Sequence, residues 1–224
     1  NLRYNQFKMM SKGFLQNKYN DIAFLDKDII YIDFKRLKLD EFKKNITKIS
    51  KSDFLIIDGR GYPNGDATTI FPYLIKGDKF YEIFQLPKII YPDQNGDYLL
   101  KKNGWKTDLK LQSFNGKVFY LVDNYTKSYG ETIASYFEFS PNTTIVGEPS
   151  DGTNGNVEKV FLSDTYQITF TGMQVLKHDK TRFHGIGITP DVYVERTQKG
   201  IAEGRDEVLE KAIELAKAEM EMEN

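Results

Sequence analysis

Leu121-Val-Asp-Asn-Tyr-Thr-Lys-Ser-Tyr-Gly-Glu131 is the stretch in which an apolar run, Val118 to Val122, stops and a helical pattern starts, with Ser128 at the junction. A short, unbroken apolar run suits a strand buried on both faces, and the helix after it predicts an α/β chain. Ser128 and Glu131 also have the S-x-x-E spacing of a capping box, in which each side chain satisfies a free backbone N–H of the first turn. On this stretch alone the serine reads either as a helix cap or as a nucleophile.

The same unit occurs upstream. Asp28 to Phe34 holds a β-branched and aromatic run, and Leu39 to Ile49 places Leu39, Phe42, Ile46 and Ile49 on one helical face. Phe54-Leu-Ile-Ile-Asp58 is then a buried-type strand ending in the glycine-rich Gly59-Arg-Gly-Tyr-Pro-Asn-Gly65, before a helix over Ala67 to Ile75. Lys117 to Val122 forms the next strand, and Ser128 to Phe139 the next helix, with Tyr129, Ile133, Tyr136 and Phe137 on one face. Thr143 to Val146 is a short strand entering the turn-rich Gly147-Glu-Pro-Ser-Asp-Gly-Thr-Asn-Gly155, which lacks the G-K-[ST] ending of a P-loop. Glu158 to Leu162, Tyr166 to Thr171 and Met173 to Leu176 alternate as an antiparallel meander, and Phe183 to Asp191 returns from a turn at His178 to Thr181. Asp206 to Met222 is an amphipathic closing helix.

Two segments stand apart. Residues 1 to 20 are a polar, basic lead-in, consistent with the continuation of a missing N-terminal domain. Phe80 to Gly116 reads as a polar, hairpin-rich antiparallel insertion with turn signals at Asp93 to Asp97 and Lys102 to Gly104. Asp93-x-Asn95-Gly96-Asp97 lacks the length and distal Glu of a calcium loop, so a hairpin turn is expected there. The first residues, Asn-Leu-Arg-Tyr-Asn, are neither an initiator Met nor a signal peptide, and we read a processed form or an excised fragment.

Composition narrows the function. A chain of 224 residues can bury about 70 % of its unfolded surface as one large domain, without a metal or disulfide staple. Its 31 Lys and Arg against 32 Asp and Glu create no global field for nucleic acid or an anionic membrane. Cysteine is absent, which excludes a thiol nucleophile, a disulfide framework and thiolate metal sites. No apolar run reaches the length of a membrane span.

Three glycine-bearing loops, after Asp58, Val122 and Gly147, each follow a strand, and in an open α/β sheet such loops meet at the carboxyl edge where ligands bind. A nucleophilic Ser128 would find an oxyanion donor in the N–H of Tyr129, at a helix N-terminus, and a second in the Gly59 to Gly65 loop. The base candidates are few. Lys127 adjoins Ser128 but does not face it. His178 lies in a turn, and His184 opens the glycine-flanked His-Gly-Ile-Gly on the returning segment, where it serves either a structural hydrogen bond or catalysis.

Four stretches in order, Leu55 to Gly65, Leu121 to Glu131, Ile145-Val-Gly-Glu-Pro-Ser-Asp-Gly152 and Gly185-Ile-Gly-Ile-Thr-Pro-Asp191, together resemble the tail-specific, or C-terminal processing, serine peptidases over roughly residues 28 to 216. Asp58-Gly-Arg-Gly-Tyr-Pro-Asn-Gly65 is similar to the family's Asp-Leu-Arg-x-Asn-Pro-Gly-Gly, which supplies an oxyanion-hole glycine. Thr126-Lys-Ser-Tyr-Gly-Glu131 matches its Ser/Thr-Ala-Ser-Ala-Ser-Glu, whose third residue is the nucleophile, here Ser128. The family's catalytic lysine is replaced by Thr153, which brings the chain closer to the tricorn-like branch, where a histidine is the base. The resemblance leaves three readings open: His184 serves Ser128, the base lies upstream of residue 1, or the chain is a lapsed enzyme.

The resemblance implies an α/β, crotonase-like ββα superhelix core with an antiparallel insertion at about 78–116, in a catalytic domain over 21–224. It implies a serine endopeptidase acting on polypeptides, with Ser128 and His184 catalytic, Tyr129 and Gly61 at the oxyanion, and Asp58, Arg60, Glu131 and Glu148 supporting the loops. No metal or organic cofactor is expected, and a location in the cell envelope, periplasmic or extracellular, is implied by the resemblance alone. The competing class is a peptide-binding module without turnover, holding an extended chain in the same cleft by strand addition.

Overall fold

The computed structural model describes residues 19–77, 83–88, 99–104 and 114–223. Its central sheet holds β1 (Ile22–Phe24), β2 (Ile29–Asp33), β3 (Phe54–Asp58), β6 (Lys117–Val122), β7 (Thr143–Gly147) and β11 (Val192–Tyr193), side by side in that order. β1 runs antiparallel to β2, and every other neighbouring pair is parallel. The fold is thus a mixed α/β one with a mostly parallel sheet.

The apolar runs are unbroken because both faces of the sheet are covered. On one face Ile30, Ile32, Leu55, Ile57, Val118, Tyr120 and Val122 pack under α1 (Leu39–Ile49), α2 (Ala67–Ile70) and α3 (Tyr129–Glu138). On the other, Ile29, Tyr31, Phe54, Ile56, Phe119 and Leu121 meet Val208, Leu209, Ala212 and Ala216 of the closing helix α5 (Glu207–Glu223). A short α4 (Gln198–Ala202) precedes it. The period of two along each strand sorts these residues between the two cores.

Register aligns the strand ends. Asp58 lies opposite Leu121, and Val122 opposite Gly147, so the loops leaving β3, β6 and β7 emerge at one edge of the sheet. The strand, loop and helix units thereby converge on one place.

Four expectations need correction. The helix expected over Ala67 to Ile75 is α-helical only to Ile70 and then tightens into a 3-10 turn, Phe71–Tyr73. Pro72 has no N–H to carry the α ladder further. The expected meander is a two-stranded hairpin, β8 (Val157–Phe161) with β9 (Gln167–Thr171), while β10 (Gln174–Leu176) leaves it to pair with β4 (Ile83–Pro87). β4 also pairs antiparallel with β5 (Leu99–Asn103), so the turn expected at Lys102 to Gly104 starts inside a strand; the turn expected at Asp93 to Asp97 lies outside the described residues. The return from Phe183 is a turn with one bridge, Leu176 to Arg182, because Gly185 and Gly187 take φ of +72° and +67°, which no strand accommodates.

The β8–β9 hairpin stands off the body, with Val160, Ile168 and Phe170 exposed along one face. Among the described residues no helix is long and apolar enough to cross a membrane.

Aromatic packing fixes α3 to the sheet. Phe137 is fully buried, with its ring stacked on Tyr120 at 4.5 Å and tilted against Phe34 at 5.9 Å. Phe137→Ala removes that plug and is expected to cost about 3–5 kcal/mol. A fall in the urea midpoint with an unchanged denaturant slope would measure it.

Candidate active site

The path to Ser128 is set by the six residues after β6. Asp123 Oδ1 accepts the Tyr125 N–H at 3.0 Å, and its carbonyl accepts the Thr126 N–H at 2.9 Å, which turns the chain sharply. Ser128 then sits half-buried at φ 47° and ψ −114°, directly before Tyr129, the first residue of α3. An ordinary cap is extended. A non-glycine residue at positive φ is costly and persists only where its surroundings hold it.

Glu131, fully buried, supplies much of that hold. Its Oε2 accepts the N–H groups of Ser128 and Thr153 at 3.0 Å each, and its Oε1 accepts the Ser150 hydroxyl and the Gly152 N–H at 2.6 Å each. Burial raises the Glu131 pKa above the ordinary range, and these donors pull against it. Glu131 is therefore the joint between the helix start and the loop after β7. It brings Thr153 within two hydrogen-bond lengths of the Ser128 amide.

The turn at Phe183 to Ile188 closes on the same joint. Ser150 Oγ accepts the Ile188 N–H at 2.8 Å, and the Gly185 N–H donates to Gly152 O at 3.0 Å. A side chain at Gly187 would meet Ser150 Oγ at 2.3 Å and Glu131 Oε1 at 3.1 Å, so only glycine fits.

The Gly59 to Gly65 loop lies over the first turn of α3. A Cβ on Gly130 would stand 2.9 Å from the Gly61 carbonyl and 3.2 Å from Pro63 Cδ. The Tyr129 hydroxyl donates to Asn64 O at 3.2 Å and lies 3.0 Å from Thr68 Oγ1, while the Tyr129 and Tyr62 rings are 5.6 Å apart. Gly61 itself has φ +77°. Ser128, Tyr129, Gly61 and Glu131 thus come together at one corner of the sheet edge.

Asp58 accepts Arg60 Nε at 2.9 Å, Arg60 Nη2 at 2.7 Å and the Tyr31 hydroxyl at 2.9 Å. Burial opposes the Asp58 charge, but the Arg60 guanidinium outweighs it and holds the carboxyl below its ordinary range. Glu148 pairs with Arg196 at 3.7 Å beside the strand end. Lys127 pairs with Asp151 at 3.2 Å, the carboxylate that also takes the Thr153 hydroxyl at 3.1 Å. His178 packs against the Phe139 ring at 5.4 Å.

His184 lies in the turn, half-buried, and its bonds run to β10 rather than to Ser128. Its Nε2 accepts the Val175 N–H at 2.8 Å, which leaves the ring proton on Nδ1. Burial lowers its pKa, a hydrogen bond with the Met173 backbone works against that, and the Arg182 charge adds to the lowering. An imidazole that accepts through Nε2 is in its neutral form.

Sequence reasoning passed over Gly130 and Ser150. Gly130 carried a signal, a glycine in the first helical turn where alanine is the better helix former. Ser150 carried none, since its partner Glu131 is distant in sequence. Among the described residues no cluster of His, Asp and Glu could hold a metal ion.

The Peptidase family S41 model matches residues 28–194. No curated protein matches the sequence. Among solved structures, one named as a peptidase from Parabacteroides merdae superposes with a TM-score of 0.69 at 18 % identity, covering 93 % of this chain and 69 % of that one. Mature CPAF complexed with lactacystin gives 0.61 at 13 % identity, over 85 % of this chain and 51 % of that one. The tricorn protease gives 0.57 at 17 % identity, over 87 % of this chain and 18 % of that one. At these identities the likeness speaks for the fold.

Asp58→Asn tests the buried pair. Its folded pKa lies below its unfolded one, so its contribution is complete above the unfolded value of about 3.9 and is lost as pH falls through the folded value. The substitution is expected to cost about 3 kcal/mol near neutral pH and to flatten the acid limb of the stability profile, both read from urea unfolding at a series of pH values.

Proposed function

The chain belongs to peptidase family S41 and is of the serine peptidase class, and on that premise we propose that it cleaves polypeptides as an endopeptidase with Ser128 as nucleophile. The observation that carries the reading is the strained Ser128 at the start of α3, with the Gly61 loop packed on the same helical turn. The Ser128 hydroxyl attacks the scissile carbonyl carbon, and the oxygen becomes an oxyanion facing the N–H groups of Tyr129 and Gly61. The tetrahedral intermediate collapses with protonation and loss of the amine, and water then releases the acyl group by the reverse roles. One such oxyanion donor is typically worth about 3–4 kcal/mol at the transition state.

His184 takes and returns the proton if its Nε2 exchanges the Val175 N–H for the Ser128 hydroxyl. The bonds to β10 favour a second reading, in which the base is contributed from outside residues 1–224. We further infer that the α/β core is a crotonase-like ββα superhelix, with the β4–β5 hairpin as its insertion. Free or flexible carboxyl termini are the preferred targets, in keeping with one structural neighbour, the photosystem II D1 C-terminal processing protease. An envelope location follows by the same analogy.

A fluorophosphonate probe tests the serine. Labelling is expected in the wild type and absent in Ser128→Ala; labelling that survives the substitution removes Ser128 from the role. His184→Ala separates the two bases: a fall of about 10²- to 10⁴-fold assigns the base to His184, and an unchanged rate assigns it elsewhere.

Gly130→Ala pushes its methyl at the Gly61 carbonyl and is expected to slow labelling by roughly tenfold or more through a displaced donor, while circular dichroism stays that of the wild type. An unchanged rate would place Gly61 outside the oxyanion site.

A further inference from the structure

The Gly61 amide belongs to the peptide that follows Arg60, so whatever fixes Arg60 fixes the direction of that N–H. The Arg60 side chain is 3 % exposed and is gripped from two sides. Asp58 takes Nε and Nη2 at 2.9 and 2.7 Å, and its Oδ1 also takes the Arg60 N–H at 3.1 Å. From the opposite side Asp206 takes Nη1 on Oδ1 and Nη2 on Oδ2, both at 2.7 Å. Paired parallel bonds of this kind fix the plane of a guanidinium as well as its position.

Asp206 is not part of that loop. It precedes α5 and caps it, with Oδ1 also accepting the Leu209 N–H at 3.1 Å. It lies 146 residues from Arg60 and beyond the stretch, 28–194, that the family model matches. α5 is anchored to the sheet by Val208, Leu209, Ala212 and Ala216, so the Asp206 carboxylate is held by a packed element independent of the glycine loops.

We propose that Asp206 is a positioning residue for the reaction: through Arg60 it sets the Gly61 N–H toward the oxyanion, which makes the closing helix part of the catalytic apparatus. Asp58, at the end of β3, holds Arg60 from the sheet side only. Asp206 references the loop to the far face of the sheet. The proposal rests on the serine peptidase reading above and adds to it a residue on α5.

The test is fluorophosphonate labelling resolved into its saturating rate and half-saturating concentration. Asp206→Asn keeps an oxygen for the Leu209 N–H and weakens the hold on Arg60. It is expected to lower the saturating rate by about 10- to 10²-fold with half-saturation unchanged and the melting temperature close to wild type. Asp206→Glu, which keeps the charge, is expected to recover part of the rate and remains informative if the asparagine variant folds poorly. Lys211→Gln, on the same helix, should label as the wild type. Arg60→Lys combined with Asp206→Asn should be no slower than the slower single variant, because both act through one chain of contacts. A wild-type saturating rate in Asp206→Asn, or rates that multiply in the double variant, overturns the role of Asp206 and leaves the serine reading standing. Absence of labelling in the wild type overturns both.

Discussion

The site is assembled around one buried carboxylate. Glu131 has no access to water and takes its hydrogen bonds from Ser128, Ser150, Gly152 and Thr153, so its charge is solvated by the helix start and the loop after β7 instead of by solvent. A buried carboxyl with unpaired oxygens would be costly, and this one is tolerable only while all of those segments are in place. The helix start, the loop after β7 and, through Ser150, the turn at Ile188 therefore assemble as a set. That interdependence is what allows Ser128 to be held at an unfavourable backbone angle.

The sheet brings these segments within reach. Parallel strands in matched register deliver their loops to one edge, and a core on each face keeps the strands from shifting. Small residues then let the loops close: Gly130 admits the Gly61 carbonyl, and Gly187 admits Ser150. The far core contributes through α5, which Asp206 precedes and caps.

The strands and the longer helices were legible because their signals are local. Phe54 to Asp58, Lys117 to Val122 and Leu39 to Ile49 follow directly from apolar runs and helical spacing. The convergence of Ser128 with the Gly61 loop was legible only through motif order, since contacts between residues so far apart in sequence leave no local trace. Three features were hidden. Pro72 shortened a helix that apolar spacing alone extended. β10 chose β4 over its sequence neighbour β9, a tertiary preference no periodicity encodes. The environment of His184 depends on the Val175 amide, a backbone group whose availability no side-chain pattern reveals.

The angle at Ser128 also bears on how such a chain would age. Holding an L-residue at φ 47° costs about 1 kcal/mol or more, which glycine would not incur. Selection for stability alone thus pulls position 128 toward glycine, and only a requirement for a hydroxyl at that corner opposes the pull. In a lineage released from any such requirement, this position would be among the first to drift.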